Sequence, residues 1–181
     1  MSYWYAVYTV TGKEDKLRKK ILEKLNFIST LFPQRKLQIR RKGKSFNIIK
    51  SLLPGYFFIK SERLLKNEEA AVIKETGKEN FNIFSKILGS DYKNNKEPIR
   101  HISDKEMDHI LFLTKNDDVV DFSTYLKEGQ KVKIISGPLK GYETIIKKIN
   151  PRKKRITISL NIFGVNKNID VGGEMLENMK F

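Results

Sequence analysis

Lysine and arginine side chains dominate the C-terminal third of the sequence, where they supply charge for binding polyanions. Between residues 127 and 169 there are eleven Lys or Arg and two Glu. The whole chain has 36 Lys or Arg against 21 Asp or Glu, a formal net charge of +15. Clustered positive charge of this size indicates contact with nucleic-acid phosphates. A basic surface without a partner and an anionic membrane are the alternatives.

Residues able to do covalent or metal chemistry are few. The sequence has no Cys, which excludes disulfides, thiolate metal sites and cysteine nucleophiles. It contains none of the glycine motifs of phosphate loops, dinucleotide folds or serine hydrolases. His101, Asp104 and Asp108 could in principle gather a metal, but surface histidines beside the acidic first turn of a helix account for them better. We predict no enzyme activity, no catalytic residue, no metal and no cofactor.

The elements that position the basic residues follow a β pattern between residues 128 and 164. Three runs rich in β-branched residues are separated by turns at residues 136–141 and 150–155. Strand formers in the runs and Gly, Pro or Asn in the turns predict a small all-β module. The turns also contain the helix breakers Gly137, Pro138, Gly141 and Pro151. We therefore predict a permanent β-barrel and not a module that refolds into helices.

The chain begins with a pattern typical of one strand followed by one helix. Residues 3–10 are aromatic and β-branched and predict a buried strand. Thr11 with Glu14 three residues later forms a capping-box pattern, so a helix is predicted to begin with Thr11 as its N-cap. Its apolar stripe consists of Leu17, Ile21 and Leu25, with Leu22 and Ile28 beside them.

The middle of the sequence alternates between strand and helix patterns. Residues 34–60 predict a three-stranded meander whose first turn, at 41–44, is strongly basic. A short helix is predicted from Asn67 to a stop at Gly77, and a strand from 80 to 88. A second capping box at residues 103–106 predicts another helix, with an apolar face at Met107, Ile110, Leu111 and Thr114.

A polar stretch at residues 115–126 separates the mixed strand and helix patterns before it from the β pattern at residues 128–164, and it predicts a linker. The predicted organisation is an N-terminal domain at 1–114, this linker, and a C-terminal β-barrel domain at 127–181. The fold class is predicted to be α+β. The sequence has neither a signal-peptide pattern nor an apolar run of membrane-spanning length, so we expect a cytoplasmic monomer.

Three motifs in register resemble the NusG family of transcription elongation factors. They are the opening Trp4-Tyr5-Ala6-Val7-Tyr8, the Pro54-Gly55-Tyr56 signature, and the segment from Gly129 to Ile162-Phe163-Gly164, which looks like a KOW module. Residues 98–110 resemble the end of the family's N-terminal domain. The resemblance implies an NGN-type domain, an antiparallel sheet with flanking helices, followed by a KOW β-barrel.

Departures from the family pattern are concentrated in the KOW-like module. Glu143-Thr144 stands where the family usually has Gly, and the run Arg152 to Arg155 is unusually basic. These features resemble specialised paralogues of the LoaP type and, more distantly, RfaH, which implies an antitermination factor that recognises a leader RNA hairpin. The alternatives are a general elongation factor whose KOW domain binds a protein, and a ribosome-associated KOW protein.

The resemblance implies that the N-terminal domain binds the clamp helices of RNA polymerase and suppresses pausing. The apolar contact surface would consist of Trp4, Tyr8, Pro54, Tyr56 and Phe58. Non-template DNA would be held through phosphate contacts to Lys13, Arg18, Arg40, Arg41 and Lys42. Because no aromatic stacking residue stands out beside these cations, we expect weak sequence preference.

The KOW-like module is predicted to bind RNA through its basic residues. These are Lys131, Lys133, Lys140, Lys147, Lys148, Arg152, Lys153, Lys154 and Arg155, and Asn150 and Asn161 are candidates for base-edge contacts. Phe163 is the candidate contact for a protein partner such as a ribosomal protein, and a core position is its alternative.

Overall fold

The computed structural model describes residues 2–89, 99–115, 118–128, 131–162 and 164–176. In chain order its elements are β1 (Tyr3–Thr9), α1 (Glu14–Lys24), β2 (Ile28–Leu31), β3 (Gln34–Arg41), β4 (Lys44–Ser51), β5 (Tyr56–Ser61), α2 (Asn67–Phe81), β6 (Ser85–Ile87), α3 (Asp104–Leu113), β7 (Val119–Val120), β8 (Ser123–Glu128), β9 (Lys131–Ser136), a 3-10 turn (Glu143–Ile145), β10 (Ile146–Asn150), β11 (Arg155–Ile162) and β12 (Val165–Met175). The predicted α+β fold class is confirmed.

The chain divides into two compact units. The first unit contains Met1–Phe32 and Leu53–Met107, and the second contains Pro33–Leu52 and Asp108–Phe181. Strand β7 and the first four residues of β8 lie within residues 115–126, the segment that the sequence predicts as a linker. The domain limits drawn from the sequence stay a prediction.

The first unit is built on a four-stranded sheet of order β2-β5-β1-β6. Strand β1 pairs antiparallel with both β5 and β6. Alternation along β1 places Tyr5 and Val7 on one face, where they join a buried apolar cluster with Leu17 and Ile21 of α1 and Ile73 of α2. Leu17, Ile21 and Leu25 of the predicted stripe are therefore buried as expected, whereas Ile28, predicted beside them, belongs to β2.

Three local predictions in the first unit are wrong. Helix α1 begins at Glu14 with Lys13 as its N-cap, so Thr11 is not the cap. Helix α2 continues through Gly77. The missing side chain leaves room for the following segment, since a Cβ there would lie 2.3 Å from Ser85 Oγ. The predicted strand at 80–88 is reduced to β6, since its first residues complete α2.

The second unit contains two sheets. Strands β3 and β4 form an antiparallel hairpin, and β7 pairs parallel with β3. The other sheet has the order β10-β11-β12-β8-β9. The predicted three-stranded meander at 34–60 is wrong, because β5 pairs with β1 and β2 and not with β4. The β character predicted for the C-terminal module is confirmed by β9 to β12.

Candidate functional site

A buried carboxylate organises the turn that carries the Pro-Gly-Tyr signature. Glu14, the first residue of α1, is only 2% exposed. Its Oε1 accepts the backbone N–H of Gly55 at 2.8 Å, and its Oε2 accepts that of Gly12 at 2.6 Å. Gly55 has a φ of +84°, and a Cβ there would lie 3.1 Å from the carbonyl oxygen of Thr9. The turn before β5 is therefore held against the end of β1 by α1.

Three aromatic side chains meet beside this turn and are here named the aromatic patch: Tyr8, Tyr56 and Phe84. The ring centroid of Tyr8 lies 5.2 Å from that of Tyr56 and 6.4 Å from that of Phe84. Tyr8 is 38% exposed and Phe84 is 56% exposed. Pro54, in the adjoining turn, is also exposed. Burial raises the pKa of the Tyr56 phenol, and Tyr8 raises it further.

The five residues of the predicted polymerase surface fall into two groups. Tyr8, Pro54 and Tyr56 lie together at the aromatic patch, whereas Trp4 and Phe58 are buried. The backbone carbonyl of Trp4 accepts the N–H of Ile102 at 2.7 Å. Sequence reasoning missed Phe84 because it fell inside the strand predicted at 80–88. Asn82 was the sequence signal for a turn there, because Asn readily adopts the left-handed conformation that this residue has after α2.

The cations predicted to bind DNA are divided between the two units. Lys13 and Arg18 belong to the first, and Arg40, Arg41 and Lys42 belong to the second. Arg18 Nη2 forms an ion pair with Asp15 at 2.7 Å, which reduces its availability for a phosphate. The three hairpin cations are exposed.

The basic run at 152–155 contains two kinds of cation. Lys154 pairs with Glu174 at 2.5 Å. Arg155 Nη2 donates to the backbone carbonyl of Gln38 at 2.6 Å, and burial lowers the pKa of its guanidinium. Arg152 and Lys153 are exposed. Asn150, a candidate for base contacts, instead accepts the backbone N–H of Lys153 at 3.0 Å, which closes the turn.

The other predicted RNA contacts lie on different strands. Lys147 and Lys148 are both exposed on β10, because a register shift between Ile146 and Lys148 interrupts the alternation. Lys140 is exposed in the turn after β9, and Lys133 is exposed on β9 itself. Strands β9 and β10 are at opposite ends of the strand order, so these residues do not share one strand pair. Phe163 and the side chain of Lys131 lie outside the described residues.

Within the described ranges, no group of three or more His, Asp or Glu side chains is arranged to hold a metal ion. His101, Asp104 and Asp108 are therefore not brought together as a ligand set. Among the same residues, no helix is long and apolar enough to cross a membrane.

Known proteins resemble this chain over most of its length. The NusG family profile, described as "Transcription termination factor nusG", matches residues 2–111, and the KOW motif matches residues 128–159. The Transcription termination/antitermination protein NusG of Thermus thermophilus is 26% identical over 89% of this chain and 90% of the relative. The protein of the same name from Helicobacter pylori is 22% identical over 99% of both chains.

The fold matches a solved structure as well. A structure concerned with domain interaction in Thermotoga maritima NusG is 23% identical, covers 95% of this chain and 94% of that one, and has a TM-score of 0.52. The family profile covers more than half of the chain and includes the turn that Glu14 organises. The chain belongs to the NusG family and is a transcription termination/antitermination factor of that family.

Proposed function

We propose that this chain is a specialised antitermination factor, similar to the LoaP type, that binds RNA polymerase and RNA at separate surfaces. The aromatic patch is the observation that supports the proposal most strongly. Contiguous exposed aromatic side chains are costly in water and mark sites where a protein partner covers them. In this proposal the patch and Pro54 contact the clamp helices of RNA polymerase.

The polymerase contact is tested by removing rings while keeping the fold. Tyr8→Ala with Tyr56→Ala is expected to abolish capture of the chain by immobilised RNA polymerase. The far-ultraviolet circular dichroism and the fluorescence of Trp4, the single Trp of the chain, are expected to stay native-like. Phe27→Ala is a matched control, because Phe27 is an exposed aromatic residue outside the patch. Unchanged capture by the double variant would refute the polymerase surface.

The RNA contact is assigned to the exposed cations around the turn after β10. Lys147, Lys148, Arg152 and Lys153 are exposed on this strand and turn. Side chains of this kind reach phosphates, while Arg can also stack on or read unpaired bases. Lys133 and Lys140 add to the positive charge of the module. Six phosphate contacts would give a slope of about −4 to −5 for log affinity against log salt.

Binding of hairpin RNAs by fluorescence anisotropy tests this assignment. Arg152→Ala with Lys153→Ala is expected to weaken binding and to make the salt slope shallower by about 2. A slope near zero in the unchanged protein would refute RNA binding through phosphates. Co-purification with ribosomal subunits in place of polymerase would favour a ribosome-associated role.

A further inference from the structure

Strand β4 is an exposed edge strand of the second unit. It lies at the end of the strand order β4-β3-β7 and, among the described strands, pairs only with β3. Six of its eight residues are exposed. Alternate residues of an edge strand direct their N–H and C=O groups away from the sheet. Strand β4 therefore has backbone donors and acceptors with which a further strand can pair.

The middle of β4 lacks the features by which proteins usually protect an edge strand. The strand contains no Pro, and its register with β3 runs without a bulge along all eight residues. Residues 45–49 are uncharged, and Phe46 and Ile49 are 48% and 57% exposed. A long, regular edge with exposed apolar side chains is a template for the addition of a strand.

Strand β3 is fastened on its other side, so β4 has a defined position. Arg155 Nη2 donates to the backbone carbonyl of Gln38 in β3 at 2.6 Å. A Cβ at Gly172 of β12 would lie 2.8 Å from the carbonyl oxygen of Lys36, also in β3. An edge strand that is already held in place loses little freedom when a partner pairs with it, and this favours binding.

One face of β4 determines which side chains an added strand needs. The residues on this face alternate along the strand and are Lys44, Phe46, Ile48 and Lys50. A strand paired beside them places its own side chains against theirs, and apolar pairs and pairs of opposite charge stabilise a sheet. The complementary pattern has an acidic residue at each end and two apolar residues between them, at alternate positions.

Charge and hydrogen bonding indicate the class of partner. Residues 34–51 include seven Lys or Arg and no Asp or Glu, so a second copy of the chain would bring like charges together. A nucleic-acid backbone matches the edge less well, because its phosphates accept hydrogen bonds but cannot donate to the outward carbonyls of β4. An acidic polypeptide supplies both donors and acceptors in alternation, together with the opposite charge.

We propose that β4 binds an extended acidic segment of a partner protein, which joins the sheet as a further strand. The acidic side chains of that segment pair with Lys44 and Lys50, and its apolar side chains pack on Phe46 and Ile48. The proposal goes beyond the proposed function, because this edge belongs neither to the aromatic patch nor to the RNA surface.

The test measures, by fluorescence anisotropy, binding of the full chain to the labelled and terminally blocked peptide Glu-Thr-Val-Thr-Val-Thr-Glu. Phe46→Lys is expected to weaken binding about fivefold or more, because an apolar cross-strand pair is lost and a charge enters the middle of the edge. Attraction between charges alone would have the opposite effect and strengthen binding of an acidic peptide. Val165→Lys is the matched control, because Val165 is 58% exposed on β12 and the same charge is added outside the hairpin. It is expected to change affinity by less than about twofold.

Two N-methylated forms of the peptide test pairing of the backbone. Each is methylated at alternate residues, so that its methyl groups lie on one edge of the added strand. Binding is expected to be lost in one form and kept in the other, because only one edge faces β4. This comparison uses the unchanged protein and therefore does not depend on the folding of a variant.

Three results would overturn the proposal. The first is that the two methylated peptides do not differ in affinity. The second is that the unmodified peptide does not bind at about 1 mM. The third is that Phe46→Lys strengthens binding of both the peptide and a dT12 strand, which would identify the hairpin as a general surface for polyanions.

Discussion

Replacing Glu14 by Ala tests whether one buried carboxylate holds the turn that presents the aromatic patch. The substitution removes the acceptors of two backbone N–H groups, those of Gly55 at 2.8 Å and Gly12 at 2.6 Å. It leaves a side chain of good helix propensity at the first position of α1. The loss of stability should therefore come from the turn and not from the helix.

The magnitude follows from the surroundings of the two donors. The N–H of Gly55 loses a charge-assisted hydrogen bond, and because Gly55 is buried, water cannot replace that bond. A buried donor left unpaired costs about 1–3 kcal/mol. Gly12 is exposed, and water can replace its bond, which then contributes about 0.5–1.5 kcal/mol. Together they predict a loss of about 1.5–4.5 kcal/mol in the free energy of unfolding.

Urea unfolding followed by Trp4 fluorescence measures this loss. Glu23→Ala is the matched control, because Glu23 lies on the same helix, pairs with Lys20 at the surface and should change stability by less than about 0.5 kcal/mol. The variant Glu14→Gln keeps one acceptor oxygen, but its side-chain NH2 group, a donor, then faces one of the two backbone N–H groups. It is expected to fall between Glu14→Ala and the unchanged protein.

Glu14→Ala should also reduce capture by RNA polymerase, and by more than the fraction of unfolded protein accounts for. Tyr56 directly follows Gly55, so a loosened turn displaces part of the aromatic patch while most of the chain stays folded. A Glu14→Ala protein as stable as Glu23→Ala would refute the reasoning about the turn. A destabilised Glu14→Ala protein with unchanged capture would instead separate the turn from the polymerase surface.

Other substitutions test packing, electrostatics and anchoring. Gly77→Ala should destabilise by about 1–3 kcal/mol in thermal or urea unfolding despite better helix propensity, because its Cβ meets Ser85 Oγ; a stabilised variant would contradict this. Burial alone would raise the pKa of Glu69, but hydrogen bonds from the Arg63 guanidinium and the Lys66 backbone N–H outweigh it and hold that pKa below the ordinary value of a glutamate. Its stabilising contribution is thus present above the ordinary glutamate pKa and is lost as the pH falls through the lowered pKa, so the cost of Glu69→Gln should be larger at neutral than at strongly acidic pH. Arg155→Ala should lower stability by about 1–3 kcal/mol with little change in the RNA salt slope, whereas Arg152→Ala should do the reverse.

The elements that the sequence predicts correctly are those with strong local signals. The apolar stripe of α1 and strand β11 of the KOW module each bury one face, so their periodicity is visible in the residues themselves. The start of β1 is instead a continuous apolar run, and Trp4 to Val7 are buried on both faces of the strand. The helix start predicted at residues 103–106 is confirmed, since α3 begins at Asp104. Only half of the predicted capping box forms: Glu106 accepts the Ser103 N–H at 3.3 Å, while the Ser103 hydroxyl donates to the Glu106 carboxylate at 2.8 Å and does not accept the Glu106 N–H. These features depend on neighbours close in sequence.

The features that the sequence hides depend on partners far along the chain. Gly77 looks like a helix stop, yet it lies inside α2, where the absence of a side chain makes room for Ser85. Glu14 looks like half of a capping box, yet one of its oxygens binds Gly55, 41 residues away. A short strand such as β2, with only four residues, has too little pattern to be separated from the preceding helix.

A count of Lys and Arg in the sequence overstates how many cations are available to bind phosphates. The run from Arg152 to Arg155 counts as four cations, yet Lys154 is paired with Glu174 and Arg155 is bonded to the Gln38 carbonyl. A cation that already satisfies a protein acceptor must break that bond before it neutralises a phosphate. The run should therefore contribute about two, not four, to the slope of log affinity against log salt. Arg40 of the β3–β4 hairpin also donates to a backbone carbonyl, that of Gly43, but Arg41, Lys42 and Lys44 are exposed and have no ion pair within the described residues. This turn therefore offers three available cations, compared with two in the run from Arg152 to Arg155.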